Sequence, residues 1–167
     1  MNDIDVIQRQ LDRVLGFFPR VDARINGLFG VNTVILAIGG LNVATPDLDL
    51  WFVSVPGVFA MAGLMVSYAL LYRANFPDVN GGQGSLVYFA EIQKRTEANY
   101  VAELATCSSD RFREDLVAQI WRNSEILCAK YAFVRYAIVA TTLSLLPFFI
   151  FLAATASIHA RVPIFNG

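Results

Sequence analysis

Three long stretches of this chain carry no charged residue: 25–46, 50–72 and 136–158. No other feature restricts the fold as tightly. A helix crosses roughly 30 Å of hydrocarbon with about 20 mainly apolar residues at about 1.5 Å each, and all three stretches are long enough. A helix on a soluble core keeps a charged face toward water, and these have none. Composition agrees: 56% of residues are hydrophobic and 16% charged, where soluble domains carry about 25% charged. The reading is an all-α integral membrane protein, with three transmembrane helices, an N-terminal amphipathic helix and a cytoplasmic helical hairpin. The boundaries fall at 1–21 for the amphipathic helix, 22–45 and 50–73 for the first two spans, 74–131 for the cytoplasmic helical region, 132–158 for the third span and 159–167 for a short outer tail.

Charge distribution orients the chain. The formal net charge of −1 offers nothing to a nucleic acid. All of the thirteen Lys and Arg residues except Arg161 lie before the first apolar run or between Arg73 and Arg135, and the connection Thr45–Asp49 holds none. The positive-inside rule therefore puts the N-terminus and the middle segment in the cytoplasm, and the Pro46 turn and the C-terminus outside. Cys107 and Cys128 are then expected as reduced thiols. The charged first twenty residues predict no cleavable signal peptide.

Ile4, Ile7, Leu11, Val14 and Phe18 follow a 3-4-3-4 spacing, with Asp3, Asp5, Arg9, Asp12 and Arg13 on the other face; this predicts an amphipathic helix. Gly16 and Pro19 should interrupt it, and Asp22 is expected to cap the next helix. The first span carries Gly27, Gly30, Gly39 and Gly40, which permit close helix contact. Its Asn26 and Asn32 call for partners, as interhelical hydrogen bonds or, for Asn32, as a pore lining. Trp51 opens the second span as an interfacial aromatic, and Pro56 invites a kink. Residues 75–82 read as a turn-rich exit.

Beyond it, Leu86, Phe89, Ile92, Thr96, Tyr100 and Leu104 sit at helical spacing. After a break at 106–109, Asp110 is expected to cap a helix with the stripe Phe112, Leu116, Val117, Ile120, Trp121, Leu127, Cys128 and Tyr131. So small a hairpin is expected to lean on a neighbouring subunit. With no breaker between them, this helix should continue into the third span, where Pro147 invites a kink.

Catalytic chemistry is sparse. One histidine, His159, stands near the end, and there is no paired-cysteine, zinc-protease or phosphate-loop motif. No Asp, Glu, Lys or Arg lies deep in a span, which disfavours a proton-coupled transporter. The reading assigns no catalytic residue, no metal ligand and no enzyme activity. The middle segment instead offers donors (Arg73, Asn75, Lys94, Arg95, Arg122, Asn123, Lys130) that suit a phosphate or a base edge, and aromatics (Tyr88, Phe89, Trp121, Tyr131) that suit a ring. The structural alternative makes Phe89 and Trp121 hairpin core and leaves the cations to solvent or lipid headgroups.

Three segments in order carry a family likeness: VDARINGLFGVNTVILAI at 21–38; Arg73 to Pro77 leading into GSLVYFAEI; and LVAQIWRNSEILCAKYAFVRYAI at 116–138. They resemble the Pycsar transmembrane effector family of bacterial anti-phage defence, with Ala90 standing where a glycine is expected. The resemblance implies a multi-pass inner-membrane effector beside a pyrimidine cyclase. Cyclic UMP or cyclic CMP would be its activating ligand, with no other cofactor. Binding to the cytoplasmic region, acting as a sensor, would impair the membrane and abort infection. Side-chain chemistry and position select Arg73, Asn75, Tyr88, Phe89, Arg122, Asn123, Lys130 and Tyr131 as the ligand site. The expected partners are that nucleotide, the lipid bilayer and further copies of the chain. Two other classes stay open: a pore or effector gated by a cyclic oligonucleotide or a partner protein, and a scaffold that binds no ligand.

Overall fold

The computed structural model describes residues 3–76 and 82–159, with the backbone alone at His159. The core of the expected exit turn, 77–81, and the outer tail from 160 lie outside the described residues. Six α-helices occur among those described, and no strand: α1 (Asp3–Leu15), α2 (Phe18–Leu41), α3 (Trp51–Asn75), α4 (Phe89–Ile92), α5 (Glu97–Thr106) and α6 (Ser109–His159). A 3-10 turn, Thr45–Asp49, follows α2. The stretch ending in α2, together with α3 and α6, provides three helical segments long and apolar enough to cross a membrane. The chain divides into two compact units, Met1–Asp22 with Phe76–Tyr131 and Ala23–Asn75 with Ala132–Gly167.

In the first unit, the 3-4-3-4 pattern does form α1, and it buries Leu11 and Val14. The helix stops at Gly16, whose N–H reaches Asp12 O at 2.8 Å. Pro19 does not cause the break. It sits in the first turn of α2, where a missing N–H has no helical partner to lose. Because α2 starts at Phe18, Asp22 lies a turn inside it and is not its cap.

A second departure concerns 84–104, where helical spacing does not produce one helix. Gly82 and Gly84 take φ of 67° and 75°, a region open to glycine and strained for other residues. Thr96 belongs to no apolar stripe; its hydroxyl accepts the Asn99 N–H at 3.3 Å and starts α5 afresh. The first arm of the expected hairpin is therefore split into α4 and α5. Ser108, not Asp110, takes the capping role for α6, accepting the Arg111 N–H at 3.3 Å, while Asp110 pairs with Arg113. From there α6 runs unbroken for 51 residues, through Pro147.

The second unit packs Ile35, Val53, Ala60, Leu64, Phe148 and Phe151 into one cluster. Close helix approach comes mainly from α3. A Cβ on Gly63 would lie 2.1 Å from Ser144 Oγ, and one on Gly57 would lie 3.2 Å from the Phe151 ring. Of the four glycines of α2, only Gly39 meets a neighbour, Phe148 at 3.4 Å; Gly27, Gly30 and Gly40 face open space. Asn32, fully buried, takes the interhelical role: its amide donates to Ser67 Oγ at 2.9 Å and its Oδ1 accepts from Thr141 Oγ1 at 2.9 Å. Ser67 and Thr141 are 2.8 Å apart, and Ser67 also donates to Ala137 O at 3.1 Å. Three helices thus meet at one neutral hydrogen-bond triad. In hydrocarbon such groups have no water to turn to, so mutual satisfaction is what makes their burial tolerable.

Candidate functional site

The most elaborately built feature of the first unit is the loop from Gly82 to Arg95. Its glycines let the backbone double back, and Ser85, buried, collects the N–H groups of Val87 and Tyr88 on its hydroxyl at 3.1 and 2.8 Å. That hydroxyl also receives Gln119 Nε2 from α6 at 3.3 Å. Asp115, one turn earlier on α6, accepts the Leu86 N–H at 2.7 Å. Tyr100 donates its hydroxyl to Leu86 O at 3.1 Å.

Arg95 braces the loop from the far side. Its guanidinium donates to Ser85 O and Glu91 O from Nη1 (3.0 and 2.9 Å), to Gly84 O from Nη2 (3.0 Å) and to Glu103 from Nε (3.0 Å). A planar fork of five donors suits this task, and a lysine could not reproduce it. Glu91 pairs with Lys94 and accepts the Gly84 N–H at 3.1 Å. The Lys94 hydrogen bond, and after it the Gly84 N–H, hold the Glu91 carboxyl below its ordinary value.

This bracing presents an aromatic pair. Tyr88 and Phe89 meet edge to face at 4.9 Å, and the Phe89 ring is 70% exposed. The expectation that Phe89 and Trp121 form hairpin core is overturned, since Trp121 is also 70% exposed. Leu116 and Gln119 bury the other side of α6, so Trp121 is turned away. Ala90, in place of the expected glycine, sits inside α4 without interrupting it.

The eight selected residues fall into separate groups. Tyr88, Phe89, Arg122, Asn123, Lys130 and Tyr131 belong to the first unit, and Arg73 and Asn75, both exposed, end α3 in the second. Within the first unit, Tyr88 and Gln119 flank Gly82, and Asn123 donates to Gln119 O at 2.8 Å one turn along. Arg122 pairs with Glu125 at 3.3 Å. Lys130 is further along and 7% exposed; its ammonium lies 2.6 Å from Asp22 and 5.8 Å from the Phe18 ring centre. Tyr131 beside it is half-buried.

Sequence reasoning missed Ser85, Asp115 and Gln119 altogether and counted Arg95 as a free donor. Gly82 and Gly84 before Ser85 were the available signal, because paired glycines and a serine mark a turn more strongly than the spacing of Leu86 and Phe89 marks a helix. Asp115 and Gln119, one turn apart beside Leu116, were a second signal: polar groups on an apolar face need internal partners. Among the described residues, no three His, Cys, Asp or Glu side chains gather where a metal ion could sit.

Residues 6–157 match the family described as the Pycsar effector protein domain. No curated protein and no solved structure matches the chain.

Proposed function

The chain belongs to the Pycsar effector family, whose members are anti-phage effectors at the membrane, and from that premise we propose that its first unit binds a cyclic pyrimidine mononucleotide, cyclic UMP or cyclic CMP, made by a neighbouring cyclase. The observation that carries this reading is the exposed Phe89 ring on a loop braced by Ser85, Arg95 and Asp115. The Phe89 ring meets Tyr88 at one edge and leaves most of its surface exposed, a surface on which a flat ring can stack. A nucleobase stacks on such a surface without entropy lost in ordering the loop.

In this reading the base lies on Phe89 and Tyr88, and Asn123 meets its edge. The single phosphate charge goes to Arg122 or Lys130, with Tyr131 completing the site. Binding shifts an equilibrium between a resting and an active arrangement. The loop rests on α6, and α6 is one helix from Ser109 to His159, so in this reading a shift at Gln119 and Asp115 passes along that helix. The active protein, a homo-oligomer in the bacterial inner membrane with its N-terminus in the cytoplasm and its C-terminus outside, impairs that membrane and aborts infection.

Titration calorimetry on the detergent-purified protein tests this with cyclic UMP, cyclic CMP and cyclic AMP. Selective pyrimidine binding, weakened about tenfold by Phe89→Ala, is the expected result, since a stacked base contributes about 1–3 kcal/mol. Absence of binding to both pyrimidine nucleotides would remove the ligand from the reading.

A further inference from the structure

Among its described residues, the unit built from Ala23–Asn75 and Ala132 onward has five charged side chains: Arg24, Arg73, Arg135, Asp47 and Asp49. The triad of Asn32, Ser67 and Thr141 fixes their heights, because it ties one level of α2, α3 and α6 together. From that level α3 and α6 run antiparallel, Ser67 meeting Thr141 and Gly57 meeting Phe151. α2 and α6 run parallel, Asn32 meeting Thr141 and Gly39 meeting Phe148. Arg24 precedes Asn32 by eight residues, Arg73 follows Ser67 by six, and Arg135 precedes Thr141 by six. All three arginines therefore stand on the same side of the triad, about 9–12 Å from it at about 1.5 Å per residue. Asp47 and Asp49 are at the opposite end, in the turn between α2 and α3.

The arginine end has the depth of a headgroup layer. Trp51 and Tyr72, exposed at opposite ends of α3, are 21 residues apart, about 30 Å and so about one hydrocarbon thickness. Exposed Tyr72 adjoins Arg73 and exposed Tyr136 adjoins Arg135, as in the aromatic belt of a membrane interface. The three arginines are themselves exposed. Among the described residues, Arg73 and Arg135 form no ion pair and no side-chain hydrogen bond, whereas Lys94, Arg95, Arg113, Arg122 and Lys130 of the first unit each hold a carboxylate. Cations that only orient a chain can stand anywhere in the flanking loops. These stand on the helices themselves, and all are guanidinium groups, whose planar fork takes two phosphate oxygens at once. We infer that Arg24, Arg73 and Arg135 bind the phosphates of anionic phospholipids. A lipid phosphate is the anion already present at that depth, and the net negative headgroup complements a field of single sign. A zwitterionic headgroup brings a cation of its own to the same end. The inference goes beyond the proposed function and is independent of the nucleotide.

The full chain, purified in a nonionic detergent and without nucleotide, is titrated with phosphatidylglycerol, with phosphatidylcholine and with inorganic phosphate while its thermal midpoint is followed. Phosphatidylglycerol should raise the midpoint until it saturates, and the other two should leave it unmoved. Arg73→Gln and Arg135→Gln should each weaken the apparent affinity for phosphatidylglycerol about fivefold, and the double variant more than either. Arg111→Gln removes an exposed arginine of the first unit and should bind as the parent does. Lipid-free midpoints of all these variants should match the parent's, because the side chains are exposed. Equal shifts with the two lipids would overturn the inference, and that comparison on the parent needs no variant. A shift of the same size with inorganic phosphate would overturn it in favour of a soluble anion. Undiminished affinity in the double variant, or an equal loss in Arg111→Gln, would overturn it as well.

Discussion

The two units hold their polar groups in different ways. In the unit built from Ala23–Asn75 and Ala132 onward, the helices are joined by neutral groups: Asn32, Ser67 and Thr141 satisfy one another, and the buried carboxylate of Asp47 lies in the turn after α2, where it accepts the Ala44 N–H at 3.0 Å. In the other unit the neutral Ser85–Gln119 contact stands beside ion pairs: Lys130 on Asp22, and Arg95 on Glu103 and three carbonyls. The difference follows from the medium each unit is built for. A charge in hydrocarbon loses its hydration with little return, whereas amide and hydroxyl groups can cancel their needs pairwise. Where water is near, a charge retains part of its hydration, and charge-assisted hydrogen bonds are the stronger choice. The lesson is that the kind of polar bond, as much as apolar content, records the surroundings of a segment.

Breaking one bond of each kind sharpens this contrast. Asp22→Asn keeps the shape but leaves the ammonium of Lys130, 7% exposed, without its counter-charge. Removing one partner of a fully buried pair costs about 3–5 kcal/mol. The Asp22 side chain is 43% exposed, so a loss of about 2 kcal/mol is expected, read as a lowered thermal midpoint in detergent. A midpoint equal to the parent's would show that the pair contributes nothing.

Asn32→Leu should cost less, about 1 kcal/mol, the scale of interhelical hydrogen bonds in membranes. Ser67 and Thr141 remain 2.8 Å apart and Ser67 keeps the Ala137 carbonyl, so no hydroxyl is stranded. The same thermal scan tests it, and a loss larger than that of Asp22→Asn would reverse the comparison between the units.

The smallest effect is a pH response of the loop. Lys94 and the Gly84 N–H favour ionised Glu91, which places its native pKa below the ordinary 4.5. A carboxylate with a lowered native pKa contributes stability that is present above 4.5 and lost as pH falls through the lower native value. Amide exchange at Gly84, read by NMR after correction for intrinsic rates, should therefore lose protection below pH 4.5 in the parent and not in Glu91→Gln. Equal pH profiles for the two would contradict the assignment.

Much of this was legible beforehand, for reasons that differ between segments. Uncharged runs longer than a span read directly as α2, α3 and the later part of α6, because hydrocarbon demands length and apolarity and little else. The 3-4-3-4 pattern read as α1 because two faces of one helix meet two media. At 84–104 the apolar spacing pointed to one helix, but glycine conformation and the Ser85 and Thr96 hydroxyls claimed the backbone first. Asp22 and Asp110 looked like caps, since capping preference is a local statistic; helix starts at Phe18 and Ser109 gave both carboxylates ion-pair roles.

By itself, then, the sequence determined the class of molecule: all-α, with three membrane-length helices, a charged unit between the second and third, and family motifs spread from end to end. Those properties depend on residue order along one chain and on the solvent each stretch tolerates. Only the tertiary structure decided which polar groups pair. Asn32 with Ser67 and Thr141, Asp22 with Lys130, and Gln119 with Ser85 join residues 34 to 109 positions apart. No local propensity encodes such partners, because a donor's choice among distant acceptors is made by the packing that brings one of them into hydrogen-bonding distance.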